Sequence, residues 1–155
     1  MGEGAPAGRP QAVLFACGHN SVRSPMAAAL LRQLGGEGYA VASAGVRKEA
    51  LDPFAVAAMA EIGIDIADHE PMTIEELEDL DGLDFDLIVT LSPEANHRAL
   101  ELTRTAAVEV EYWPTADPTI QEGSREQRLE AYRAVRDTLM ARIRGRFASI
   151  RSGNE

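Results

Sequence analysis

Apolar and polar positions along this chain switch repeatedly between short unbroken apolar runs and stretches with helical spacing. Residues 11–17 form the first run, closed by Gly18, which is the pattern of a short strand buried on both faces. Ser24 then offers an N-cap hydroxyl and Pro25 suits the first helical position. Met26, Ala29, Leu30 and Leu34 share one helical face, and Gly35-Gly36 ends that helix. Residues 39–43 read as a second strand. Asp52-Pro53 repeats the cap-then-proline signal, with Val56, Met59, Ala60 and Ile62 following at helical spacing up to Gly63. Thr73-Ile74-Glu75-Glu76 is a capping box that opens a short acidic helix. Residues 86–91 are a third buried strand, Ser92-Pro93 caps a helix running to about Leu102, and residues 107–112 are a fourth strand. After a loop from Trp113 to Gly123, a long helix carries Leu129, Tyr132, Val135, Leu139, Ile143 and Phe147 on one face.

Strands alternating with helices predict an α/β three-layer sandwich, a four-stranded parallel sheet flanked by helices. Ligands in such sheets bind beyond the C-terminal ends of the strands, so the loop after the first strand is the expected site. The length of 155 residues fits one domain, placed at residues 11–150. Residues 1–10, rich in Gly, Ala and Pro, read as a disordered tail, and the polar residues from Arg151 as a frayed end.

The N-terminal residues lack the apolar core of a secretory signal, and no apolar stretch is long enough to span a bilayer. The single cysteine excludes an internal disulfide, which makes a reducing cytoplasm the expected compartment. A net charge of -10 argues against nucleic-acid binding, and a monomer without membrane association is the default expectation. The same charge opposes the approach of an anion, so an anion site here depends on local donors.

The segment from Cys17 to Ser24 has such donors. A buried strand delivers the Cys17 thiol into a loop of Gly18, His19, Asn20, Ser21 and Val22, and the loop returns Arg23 before the helix starts. Amides of a tight loop ending at a helix N-terminus converge on a tetrahedral oxyanion, with the helix dipole adding to them. The Arg23 fork binds two oxyanion oxygens at once. That positive environment favours a thiolate at Cys17, and the Ser24 hydroxyl is placed to stabilise it further. A thiolate on the floor of such a cradle attacks the central atom and forms a covalent intermediate. The plain alternative is an inert core cysteine. The loop lacks the Gly-Lys-Ser/Thr ending of Walker-type phosphate loops. His69 and His97 have no metal-ligand spacing with each other or with Cys17 and read as surface or supporting residues, so neither metal nor cofactor is expected.

Val13 to Cys17 followed by Asn20 and Arg23-Ser24-Pro25-Met26 closely resembles the low-molecular-weight protein tyrosine phosphatases and the thiol-dependent arsenate reductases of the same fold. Ser43-Ala44-Gly45 and Asp117-Pro118 resemble two further family signatures, and the resemblance spans roughly residues 11 to 147. It implies Cys17 as nucleophile, Arg23 as the transition-state clamp, Asn20 as the residue shaping the loop, and Ser24 as the thiolate's hydrogen-bond donor. Asp117 is implied as general acid, then base. Asp52-Pro53, the competing pair, is assigned to helix capping.

Three departures stand out. His19 occupies the position where the family usually has glycine. Val22 replaces a second loop cysteine. Thr119 follows Asp117-Pro118 where phosphatases often have aromatic residues that grip the substrate ring, which leaves Trp113 either lining the cleft or buried in the core. The favoured expectation is hydrolysis of a phosphomonoester through phosphocysteine, with protein phosphotyrosine as the first substrate class and a small phosphoester as the other. Arsenate reduction is the alternative. Thioredoxin-linked reductases relay electrons through further cysteines of their own chain, so a reductase built on this sequence needs an external thiol such as glutathione, mycothiol or glutaredoxin. A non-catalytic phosphoanion binder is the third reading.

Overall fold

A computed structural model of the chain describes residues 12–82, 84–104 and 107–147. Both predicted tails lie outside the described residues. The elements are β1 (Ala12–Cys17), α1 (Arg23–Gly35), β2 (Ala40–Gly45), α2 (Pro53–Ala60), α3 (Ile74–Asp81), β3 (Leu87–Thr90), α4 (Pro93–Leu102), β4 (Glu109–Tyr112) and α5 (Arg125–Arg146). Two short 3₁₀ turns, Gly36–Gly38 and Pro118–Ile120, sit between elements. The four strands are parallel in the order β2-β1-β3-β4, and helices cover both faces of the sheet. The expected α/β sandwich is therefore the fold.

Alternation along β1 divides the core. Val13, Phe15 and Cys17 face a layer built by α1, α2 and α5, with Met26, Leu30, Leu31, Met59, Leu139, Ile143 and Phe147 buried there. Leu14 and Ala16 face the other layer, with Ile74 and Leu77 of α3 and Ala95 and Ala99 of α4. A strand that buries both faces reads as one unbroken apolar run, which is why β1 was legible. The same alternation brings Cys17 out at the C-terminal end of the central strand.

Most caps form as expected. The Asp52 carboxylate accepts from Phe54 N at 2.9 Å, the Ser92 hydroxyl accepts from Ala95 N at 3.2 Å, and Thr73 with Glu76 closes a reciprocal capping box. Ser24 departs from the expectation. It lies inside the first turn of α1, whose N-cap is Val22 with no side-chain cap, because the Ser24 hydroxyl is engaged by the loop. Helix α2 also differs: it stops at Ala60 and buries Ala55, Ala58 and Met59, leaving Ile62 exposed beyond it. The small alanines allow close packing, and Phe54 stacks on Tyr132 of α5 with ring centroids 5.2 Å apart.

An ion cluster joins the end of α2 to α5. Arg133 Nη2 lies 2.8 Å from Glu61 Oε2, and Arg136 Nη1 lies 2.9 Å from Glu61 Oε1 while also donating to the Ala58 carbonyl at 2.8 Å. Hydrogen bonds from Arg133 and then Arg136 hold the Glu61 carboxyl down to about 2. A group depressed on folding contributes stability above its ordinary pKa and loses that contribution as pH falls toward the folded value. Urea midpoints of the parent should therefore fall more steeply than those of Glu61→Gln between pH 4.5 and about 2. Parallel curves for the two proteins would remove this cluster from the account of acid sensitivity.

Among the described residues, no helix is long and apolar enough to cross a membrane, and no three His, Cys, Asp or Glu side chains are grouped to hold a metal ion.

Candidate active site

The loop from Gly18 to Val22 connects β1 to α1 and closes over the Cys17 sulfur. Asn20 N donates to Sγ at 3.3 Å, and Ser24 Oγ lies 2.9 Å from Sγ. Asn20 Nδ2 donates to that same Ser24 oxygen at 2.8 Å, which turns the serine's own proton toward sulfur. Two donors thus converge on Cys17, an arrangement that suits a sulfur acting as acceptor, the thiolate. The thiol is almost wholly buried, with 2% exposure.

Asn20 holds the loop in shape from behind. Its backbone is left-handed, at φ 55, and the side chain is fully buried. Nδ2 donates to Ser43 Oγ at 3.0 Å as well as to Ser24, and Oδ1 accepts from Met72 N at 2.9 Å. Oδ1 also lies 3.1 Å from His69 Nε2, so that ring nitrogen carries the hydrogen. Burial pushes His69 below its ordinary value against the opposing pull of Asn20, which keeps the ring neutral. Gly45, at the end of β2, lets this layer come close: a Cβ there would sit 2.8 Å from Asn20 N and 2.9 Å from the His19 carbonyl carbon. Backbone bonds from Val46 N to the Cys17 carbonyl and from Arg47 N to the Gly18 carbonyl, at 3.1 and 2.8 Å, fix the two chains side by side.

The amides of Ser21, Val22 and Arg23 donate to no other described residue. Ser21 and Val22 are buried, and a buried amide without a partner is the feature a bound anion satisfies. Arg23 is half-buried, and its Nη1 donates to the Thr115 carbonyl at 3.0 Å, tying the guanidinium to the loop that carries Asp117. Asp117 Oδ1 accepts from Thr119 N at 3.0 Å and from Thr119 Oγ1 at 2.6 Å. Partial burial pulls the Asp117 carboxyl upward. The Thr119 hydrogen bonds, with Arg23 and His19 nearby, outweigh that and leave it below the ordinary aspartate value.

A cavity of about 230 Å³ opens between these parts, lined by Cys17, His19, Ser21, Val22, Arg23, Glu49, Asp117 and Thr119. The structure thus brings most of the expected site residues to one place. Asn20 and Ser24 stand behind its wall, and Gly18 meets the strand of Gly45 through its carbonyl. Trp113 is a correction to its expected place in the binding site. It is buried in the core at 4% exposure, edge-on to Phe15 at 6.2 Å, with Nε1 donating to Glu111 at 3.2 Å, and it does not line the cavity. Trp113 N donates to the Thr90 carbonyl at 2.7 Å, so the residue still follows β4 in register, which turns its ring inward. Sequence reasoning did not assign Ser43, Met72, Glu49 or Thr119 to the site, and His69 was read only as a surface or supporting residue. His97 is exposed, beside Glu101.

A family model for the low molecular weight phosphotyrosine protein phosphatases matches residues 12–154. Curated relatives include an arsenate reductase of Shouchella clausii, 38% identical over 85% of this chain and 91% of its own. An arsenate reductase of Bacillus subtilis is 35% identical over the same shares. Among solved structures, an arsenate reductase in its phosphate-binding state is 31% identical, covers 90% of this chain and 98% of its own, and superposes with a TM-score of 0.72. A tyrosine phosphatase of Erwinia amylovora has the same TM-score at 20% identity, covering 94% and 96%, a likeness of fold.

Proposed function

Because the chain belongs to the low molecular weight phosphotyrosine protein phosphatase family, we propose that Cys17 attacks the central atom of a tetrahedral oxyanion, that this oxyanion is arsenate, and that external thiols reduce it. The observation that carries this reading is the wall of the cavity. Apart from Val22 its lining is polar or charged, and none of the described residues that line it is Phe, Tyr or Trp. Such a lining suits the charge of an inorganic oxyanion and offers an aryl phosphate ring no Phe, Tyr or Trp to stack on. The arsenate reductases among the relatives support the same choice.

In this reading the free amides of Ser21 to Arg23 and the Arg23 fork hold three oxygens. Cys17 thiolate displaces the fourth, forming an S–As bond. The departing oxygen takes a proton delivered through Asp117 and leaves as water. Since this carboxyl is held low in the free protein, the dianion's own charge is what brings a proton onto it. An external thiolate then bonds to Cys17 Sγ, and the S–As electron pair passes to arsenic, which leaves as arsenite. A second thiol opens the mixed disulfide, releasing the oxidised thiol pair and Cys17. Overall, one arsenate and two thiols give arsenite, a disulfide and water. The thiols are external because Cys17 is the chain's only cysteine.

Phosphomonoester hydrolysis is the second reading, favoured by Asp117 lining the same cavity as Cys17, where it can protonate an ester oxygen. The deciding experiment incubates the protein with arsenate and either glutathione or mycothiol plus glutaredoxin-type reductant, and measures arsenite. In parallel it measures hydrolysis of p-nitrophenyl phosphate. Thiol-dependent arsenite release exceeding ester hydrolysis is the expected result. Vanadate-sensitive ester hydrolysis without arsenite would replace the first reading with the second.

A further inference from the structure

The cavity holds two ionisable groups with no role in the reaction above, His19 and Glu49. His19 stands at its rim, with the side chain 38% exposed and Nε2 3.9 Å from Glu49 Oε2. That separation is too long for a hydrogen bond and short enough for an ion pair once the ring is protonated. Glu49 N also donates to the His19 carbonyl at 3.1 Å, so the two residues are held together by backbone as well. Across the cavity stand Asp117 and Arg23, and the charge of His19 is felt at Asp117. The groups facing the ring are therefore Glu49, Asp117 and Arg23.

A chain that takes its electrons from outside must receive a thiol at this mouth, and a thiol that arrives protonated must lose its proton there. Carboxylates are weak bases for a thiol, and both Asp117 and Glu49 are carboxylates. Imidazole is the side chain whose basicity suits the task near neutral pH. We propose that His19 is the general base for the incoming thiol, with Glu49 stabilising the imidazolium it becomes; this rests on the arsenate reading above. The imidazole takes the thiol proton, the sulfur bonds to Cys17 Sγ, and the Sγ–As bond breaks with its pair going to arsenic. Arsenic falls from the +5 to the +3 state, and the imidazolium returns its proton to the departing arsenite oxygen. The reductant is a small thiol.

The test compares two small uncharged thiols, mercaptoethanol and the much more acidic trifluoroethanethiol, as reductants of arsenate. A base matters much for the first and far less for the second, a substantial fraction of which is already ionised near neutral pH. For His19→Gln, the rate with mercaptoethanol should fall by on the order of 10²-fold, and with trifluoroethanethiol by less than about threefold. His19→Asn should show the same change in ratio, and Glu49→Gln a smaller one in the same direction. Equal losses with both thiols would make His19 a structural residue and overturn the proposal, as would unchanged rates. A parent protein that releases no arsenite with either thiol would overturn the arsenate reading together with it.

Discussion

Replacing Cys17 by serine is expected to lower turnover by on the order of 10⁴-fold or more while oxyanion binding persists. The loop has two separable roles. Attack on arsenic or phosphorus needs the polarisable thiolate, and a serine hydroxyl in the same place stays protonated. Binding depends on other atoms: the unpartnered amides of Ser21 to Arg23 and the Arg23 guanidinium fixed to the Thr115 carbonyl. Serine is smaller than cysteine and can keep its contacts with Asn20 N and Ser24 Oγ, so the loop has no reason to collapse. Removing a negative sulfur from beneath an anion also leaves affinity equal or improved. Cys17→Ser leaves a chain with no cysteine, so no other sulfur can substitute. Calorimetric titration with phosphate and assays of arsenite release and ester hydrolysis check both halves. Turnover near that of the parent would sink the covalent mechanism, and loss of binding would show that the sulfur shapes the loop.

How much of this was legible beforehand follows from the range of each interaction. The strand that delivers Cys17, the loop, Arg23 and the following helix are contiguous, and their pattern is local. The caps at Asp52, Thr73 and Ser92 are local too, and they formed. Ser24 shows the limit of that logic. Its position fits both a helix cap and a partner for the Cys17 thiolate, and only the folded loop reveals that Cys17, with Asn20, claims its hydroxyl and leaves the cap unmade. Trp113 shows another limit, since nothing near it in sequence states whether the chain turns its ring toward Phe15 or toward the cavity. Ser43, His69 and Met72 reach Asn20 from 23, 49 and 52 residues away, and pairings of that range leave no local signature. Glu49 belongs with them, since its meeting with His19 depends on β1 and β2 running side by side.

That long-range network around Asn20 sets the second large effect. Asn20→Ala should destabilise the protein by about 3–4 kcal/mol, because it strips two buried and two half-buried partners of a hydrogen bond at once. Ser43 Oγ, Met72 N and His69 Nε2 lose a bond they make to this side chain, and Ser24 Oγ loses the donor that orients it. The Asn20 side chain is fully buried, so bulk water offers no direct replacement on its side of these bonds. Backbone strain adds to the loss, since φ is 55 and alanine lacks the side chain that lets asparagine tolerate that conformation. Asn20→Gly removes the strain but still lacks the side-chain hydrogen bonds, so it should recover only about 1 kcal/mol relative to Asn20→Ala. Urea denaturation read by tryptophan fluorescence measures both differences. The chemistry should suffer in the same variants: with Ser24 free to turn its proton elsewhere, Cys17 loses an oriented donor, and turnover should fall more than oxyanion affinity. A loss below about 1 kcal/mol for Asn20→Ala would mean that water or a rearranged loop satisfies these groups. The loop would then take its shape from the strand pairing at Gly45, and the thiolate would depend on Ser24 and the loop amides without support from Asn20.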